Sequence, residues 1–200
     1  KRKRDELDVI ELYGQRDWRS IVNKYHNHPD RNKLLWVFPA EEDFEFIRLN
    51  MEKLGSGEIL SIGCGSGLLE WMIHEATDIP VSGIEVDGSW WACKYAPPTF
   101  IELIIASPAL DYNTISLLKK PTTTILFCYF NNGPAFRQYM ENFNGNVVII
   151  IGPHSKNVYT CPEPFEDIGK EWDLHTSKEI RDSKDFISPF SGCAISKLSF

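Results

Sequence analysis

The sequence predicts an α/β protein built on a mainly parallel β-sheet. Five short apolar runs alternate with helix-like stretches, the pattern of successive βαβ units. The first run ends in a turn carrying Gly63, Gly65 and Gly67 and leads into a helix-like stretch. The final two strand-like stretches have no helix between them, so they pair most simply as antiparallel strands at a mixed edge.

Residues 3–25 carry Leu7, Ile10, Leu12, Trp18, Ile21 and Val22 at helix-compatible spacings, interrupted at Gly14. His28-Pro29-Asp30-Arg31-Asn32 is a turn cluster. Phe44, Ile47, Met51 and Leu54 predict an amphipathic helix over Ala40–Leu54, closed by Gly55-Ser56-Gly57. A first strand is expected at Glu58–Ile62 and a helix at Leu68–Glu75. A second strand follows at Val81–Val86, then a helical stretch at Ser89–Tyr95. Phe100–Ile105 reads as a third strand and Ser107–Leu118 as a weakly patterned connection. Thr123–Phe130 is the fourth strand, and Ala135–Phe143 a helix closed by Asn144-Gly145. Val147–Gly152 is the fifth. The tail predicts a short helix at Phe165–Glu171 and strands at Trp172–Ile180 and Cys193–Leu198.

The chain has 200 residues, a length for one domain able to bury a real core. Hydrophobic residues at 42% and charged residues at 24% exclude a disordered or collagen-like chain. The net charge of −7 averages two regions. Lys1, Arg2, Lys3 and Arg4 are four of the 21 basic residues, leaving 17 against 28 acidic ones. So acidic a body argues against unspecific binding to a phosphate backbone. The basic tetrad reads as a solvated helix start, with a nuclear-import or nucleic-acid patch as the alternative.

No apolar run approaches the roughly 18–20 residues that span a bilayer, so no membrane partner is expected. The start resembles no signal peptide, and the missing initial methionine reads as a piece of a longer chain. Cys64, Cys93, Cys128, Cys161 and Cys193 are odd in number and form no Cys-x-x-Cys pair. Neither a zinc site nor a disulfide framework is expected, and no metal at His26-x-His28. Reduced cysteines imply an intracellular protein, cytoplasmic or nuclear.

The glycine turn is the most informative stretch. Glycines let the backbone turn tightly and approach a ligand, and the helix behind presents free N–H groups. Gly63-Cys64-Gly65-Ser66-Gly67 is Gly-x-Gly-x-Gly; a dinucleotide fingerprint requires glycine where Leu68 stands. No Gly-Lys-Ser/Thr follows, which removes the phosphate-loop pattern. Glu85 ends the second strand about twenty residues later, where a carboxylate can accept both hydroxyls of a ribose. Asp87 is the second choice, and both acids are also suited to cap the next helix.

These residues, with the helix-free terminal strands, resemble the class I S-adenosylmethionine-dependent methyltransferases. The resemblance runs from about Trp36 to Phe200. Leu35–Pro39, Leu126–Phe130, Val147–Gly152, Cys161-Pro162 with Phe165, and Glu171-Trp172 look like a methyltransferase-like group defined by sequence rather than by substrate. The resemblance implies a Rossmann-like three-layer α/β/α fold with a seven-stranded, mainly parallel sheet and an antiparallel last strand. It implies a domain at 36–200 preceded by a helical extension at 1–35.

It further implies S-adenosylmethionine as cofactor and in-line methyl transfer to an unassigned acceptor. Gly63, Cys64, Gly65 and Gly67 would hold the amino-acid and ribose portion, Glu85 the ribose, and Val86 or Trp90 the adenine. Asn131, Asn132 and Tyr129 are the catalytic candidates near the acceptor, with Tyr129 and Phe130 as an aromatic wall, Trp36 and Phe38 closing over the site from the N-terminal segment, and His154 as an alternative base. A small-molecule or protein acceptor is favoured over nucleic acid, and the extension is a candidate lid, linker or partner-binding helix. Three positions depart from the family. Ser61 stands where the first strand usually carries an acid. Ser107 follows the third strand where an acid is common, and Tyr129–Pro134 only loosely echoes an Asn/Asp-Pro-Pro-Tyr loop. The alternative is therefore a catalytically inactive methyltransferase-like domain acting as a protein-binding or scaffolding module.

Overall fold

The computed structural model describes residues 2–107, 110–154, 158–166 and 168–192. The N-terminal segment forms α1 (Arg2–Gly14) and α2 (Trp18–Tyr25), with a short 3-10 turn at Arg31–Lys33. Asp17 starts α2 by accepting the Ser20 N–H at 3.0 Å. Helix α3 spans Glu41–Lys53 and buries Phe44, Ile47 and Met51, as the apolar spacing predicts.

Asp43 is fully buried in the first turn of α3. Its Oδ2 accepts the Ala40 N–H at 2.8 Å and its Oδ1 meets the Lys178 ammonium. Asp43→Ala removes the cap and leaves that ammonium unpaired, so urea unfolding is expected to show a loss of about 3 kcal/mol. A loss under about 0.5 kcal/mol would show that this pair holds nothing in place.

The alternating part follows in chain order: β1 (Glu58–Ile62), α4 (Leu68–Thr77), β2 (Val81–Glu85), α5 (Gly88–Trp91), β3 (Leu103–Ile105), α6 (Tyr112–Leu118), β4 (Thr123–Cys128), α7 (Gly133–Asn142) and β5 (Val147–Pro153). The tail supplies β6 (Trp172–Leu174), β7 (Lys178–Glu179) and β8 (Asp185–Gly192). The sheet order is β3-β2-β1-β4-β5-β8-β6, with β7 also on β8. The first five strands are parallel, and β8 runs antiparallel to β5, β6 and β7. The mixed edge is as expected; the eighth strand is the two-residue β7.

Side-chain alternation divides the core between the two faces of the sheet. On one face Ile59, Leu126, Val147, Ile149 and Ile151 pack with α3, α4, and Val9, Trp18, Ile21, Val22 and Tyr25 of α1 and α2. On the other, Leu60, Ile62, Ile125, Phe127, Val148 and Ile150 pack with Leu118 of α6 and Phe136 and Tyr139 of α7. Ser61 shares the first face with Ile59 and therefore looks toward α4.

Several elements differ from the sequence expectation. The third strand is only Leu103–Ile105, because the Phe100 N–H donates to Ser66 O and ties that segment to the glycine turn. The helix at Ser89–Tyr95 reduces to α5. The weakly patterned connection contains α6, whose start Asp111 caps by accepting the Thr114 N–H at 2.7 Å. No helix forms at Phe165–Glu171 among the described residues, where Gly169 turns through φ +133°.

The Trp172–Ile180 strand is split into β6 and β7. The expected Cys193–Leu198 strand lies outside the described residues, and the partner is β8, unassigned by the pattern because Pro189 sits inside it. The Pro189 carbonyl accepts from the His175 N–H, so residue 189 directs its main-chain groups toward β6 and β7. Its missing N–H therefore falls where the outer pairing is interrupted, between Leu174 and Lys178.

Candidate functional site

The site lies at the C-terminal ends of β1, β2 and β4, where an open α/β sheet leaves a crevice. Gly63, Gly65 and Gly67 all have positive φ, a left-handed conformation that glycine adopts freely, and together they form the turn between β1 and α4. A side chain on Gly65 would meet nothing within 4 Å, so that turn presents bare backbone.

Glu85 fastens this turn from the neighbouring strand. Its Oε1 accepts the Gly65 N–H at 2.7 Å and its Oε2 accepts the Val86 N–H at 3.1 Å. A carboxylate has lone pairs beyond these two, so Glu85 both shapes the loop and remains able to accept from a ligand. Asp87 is committed elsewhere: it caps α5 through Trp90 N–H and takes the Ser89 hydroxyl at 2.6 Å. That hydroxyl and the Trp90 N–H hold its carboxyl below the ordinary range.

Two cavities flank the glycine turn and share Gly63, Glu85, Cys128 and Tyr129 in their walls. One, of about 280 Å³, is lined on its far side by Val86, Phe130, Asn131 and Asn132. The other, of about 300 Å³, is lined by Leu34–Val37, Cys64, Gly65, Leu69 and Glu70. Of the residues selected from the sequence, these cavities gather Gly63, Cys64, Gly65, Glu85, Val86, Tyr129, Asn131 and Asn132. Gly67 lines neither; it is the left-handed start of α4. Cys64 faces inward, since a side chain on Gly83 would strike its Sγ, and burial raises its thiol pKa.

The Asn132 Oδ1 accepts the Ala135 N–H at 3.1 Å and caps α7. Asn131 is exposed on the rim. Tyr129, in the left-handed region at φ +51°, donates its hydroxyl to Asp185 Oδ1 at 2.5 Å. Burial and that carboxylate push its phenol well above the ordinary value. Trp36, 67% exposed, stacks on it with ring centroids 5.7 Å apart. Beyond this pair opens a third cavity, of about 540 Å³, bounded by His28, Arg31, Lys184 and Asp185.

The other aromatic candidates lie apart. Phe38 is buried in the core, Trp90 lines neither cavity, and His154 packs edge-on against Phe165 and Phe186. His28 brings a ring nitrogen within 4.8 Å of carboxylate oxygens of Asp5 and Asp30, and Lys33 already pairs with Asp30 at 2.6 Å.

Glu70 was missed from the sequence and is the most unusual group present. It is 1% exposed in the first turn of α4, and its Oε1 accepts the Ser61 hydroxyl at 2.6 Å. Its Oε2 is buried with no hydrogen-bond partner among the described residues. Burial outweighs the Ser61 hydrogen bond, and with Glu85 nearby the carboxyl is pushed up to about 7. The signal was available: an acid inside the apolar run Leu68-Leu69-Glu70-Trp71-Met72-Ile73.

Comparison with solved structures finds the same architecture. An rRNA methylase from Escherichia coli superposes with a TM-score of 0.52 at 12% identity, over 95% of this chain and 76% of that one. The fold is that of the class I S-adenosylmethionine-dependent methyltransferases. A magnesium protoporphyrin IX methyltransferase from Synechocystis PCC 6803 with bound S-adenosylmethionine also matches, with a TM-score of 0.46 at 12% identity, over 88% and 97% of the two chains. No family model and no curated protein matches the sequence. On this methyltransferase fold no helix among the described residues is long and apolar enough to cross a membrane.

Proposed function

We propose that the protein is an S-adenosylmethionine-dependent methyltransferase. The observation that carries the reading is the glycine turn held by Glu85 between two cavities that meet at Tyr129. The residues fit the cofactor chemically. Bare backbone at Gly65 admits close approach, Glu85 retains acceptor capacity for a ribose, and Val86 offers apolar surface for an adenine. Gly63 and Cys64 complete the loop that would hold the remaining portion.

S-adenosylmethionine supplies an activated methyl on a sulfonium, so transfer is an in-line displacement by an acceptor lone pair. The chain's own contribution is to align the acceptor lone pair with the methyl. Tyr129 and Trp36 form an aromatic wall between the cofactor side and the third cavity, from which an acceptor enters. Asn131 and the free amide nitrogen of Asn132 orient it. The acidic body favours a small molecule or protein segment over nucleic acid. Residues 1–35 are proposed as the helical extension of this domain, offering a surface to a protein partner.

A non-catalytic scaffolding domain is the second reading, favoured by Ser61 and by the use of Asn132 as a helix cap. Calorimetric titration with S-adenosylmethionine and its demethylated product separates the two. Binding is expected, at least tenfold weaker in Glu85→Ala and absent in Gly65→Arg. Failure of both ligands to bind at millimolar concentration overturns the enzyme reading.

A further inference from the structure

Glu70 has a buried carboxyl oxygen without a partner, beside a cavity, and a charged group in that position requires a donor. We propose that Glu70 is the receptor for the ammonium group of the ligand held by the glycine turn. The inference rests on the cofactor reading above and deepens it by assigning the residue that recognises the cofactor's amino group.

Ser61 is too short to reach into the cavity with a charge, and its hydroxyl instead donates to Glu70 Oε1. That bond fixes the carboxyl group's orientation and leaves Oε2 as its uncommitted acceptor. Helix α4 follows the turn at once, so Glu70 stands three residues after Gly67 and forms a wall of the same cavity as Gly63 and Gly65. An acid on the helix thus takes the task that an acid at position 61 of the strand would have.

The neighbours explain why the partner is a cation. The titratable groups around Glu70 are Cys64 in the turn, Glu85 at the end of β2 and Cys128 at the end of β4. Both thiols are partly buried, burial raises their pKa values and they stay neutral, and Glu85 contributes the other negative charge. A neutral donor would satisfy Oε2 and leave the two acids repelling each other. An ammonium satisfies the oxygen and offsets the repulsion, and a sulfonium has no N–H to give. Glu70 is a binding residue in this account, and Ser61 is the residue that positions it.

The test is calorimetry of the whole chain and of Glu70→Gln with three probes: S-adenosylmethionine, its demethylated product, and 5′-methylthioadenosine, which lacks the ammonium. Glu70→Gln is expected to weaken the first two by about 10- to 100-fold and 5′-methylthioadenosine by less than twofold. Equal weakening of all three overturns the inference, as does loss confined to S-adenosylmethionine, which would assign the carboxylate to the sulfonium. A second measurement needs no variant. At pH 6 the ligand's amine is still protonated, and binding to the unsubstituted protein is expected to release up to one proton as Glu70 ionises. Proton release is read from the dependence of the heat on buffer ionisation enthalpy, and its absence overturns the inference. If the unsubstituted protein binds none of the probes, the cofactor reading fails. If it binds them and Glu70→Gln binds equally well, only this inference fails.

Discussion

Replacing Gly67 with valine is expected to destabilise the protein by about 3 kcal/mol or more, measured by urea unfolding. Two costs combine. Gly67 lies at φ +76°, where any residue with a Cβ costs about 1–2 kcal/mol and a β-branched one more. A Cβ there would also stand 2.3 Å from Ile101 Cγ1 and 2.9 Å from Cδ1, an overlap that costs roughly 1–3 kcal/mol to relieve. Ile101 belongs to the segment tied to the turn through Phe100 N–H and Ser66 O, so it cannot withdraw without loosening the turn. Placing Gly67→Val in an Ile101→Ala background is expected to recover the packing part and leave the backbone part. A total loss below 1 kcal/mol would show that α4 does not begin in this left-handed turn.

Glu70→Gln is expected to stabilise the protein by less than about 1 kcal/mol at pH 5 and by about 3 kcal/mol at pH 8. The sign follows from linkage. The carboxyl titrates near 4.5 when unfolded and near 7 when folded, so between those values the native state holds the proton more tightly. Its stabilising share is complete below pH 4.5, falls as pH rises, and is lost above 7. A rise of about 2.5 units corresponds to about 3 kcal/mol at 1.36 kcal/mol per unit. Carboxyls lowered in the native state, such as Asp17 and Glu41, slope the other way in both proteins and cancel in the difference. The measurement is the gap between the two urea midpoints at pH 5 and pH 8. A gap that does not change with pH would place Glu70 in contact with water. The group that costs stability at neutral pH is the one assigned to ligand recognition, an exchange found at binding sites.

Much of this was legible in the chain. The βαβ rhythm, the glycine turn and Glu85 were readable because each is local: an apolar period, three glycines in five residues, an acid at a strand end. The Phe44-Ile47-Met51 spacing identified α3 for the same reason. Strand β8 was not legible, because Pro189 forbids a strand on local grounds and is allowed by an interruption in strands some fifteen residues earlier. The helix expected at Phe165–Glu171 failed the other way, with a favourable composition broken at Gly169.

The sequence by itself determined the fold class and the place of the glycine turn, since hydrophobic period and glycine conformational freedom act within a few residues. Only the tertiary structure decided what the side chains at that turn do. It turned Cys64 inward against Gly83. It stacked Trp36 on Tyr129 across the chain and drew Glu70 beneath Ser61. Those outcomes depend on burial and on partners from other elements, and burial above all, with Glu85 nearby, is what pushes the Glu70 carboxyl up to about 7.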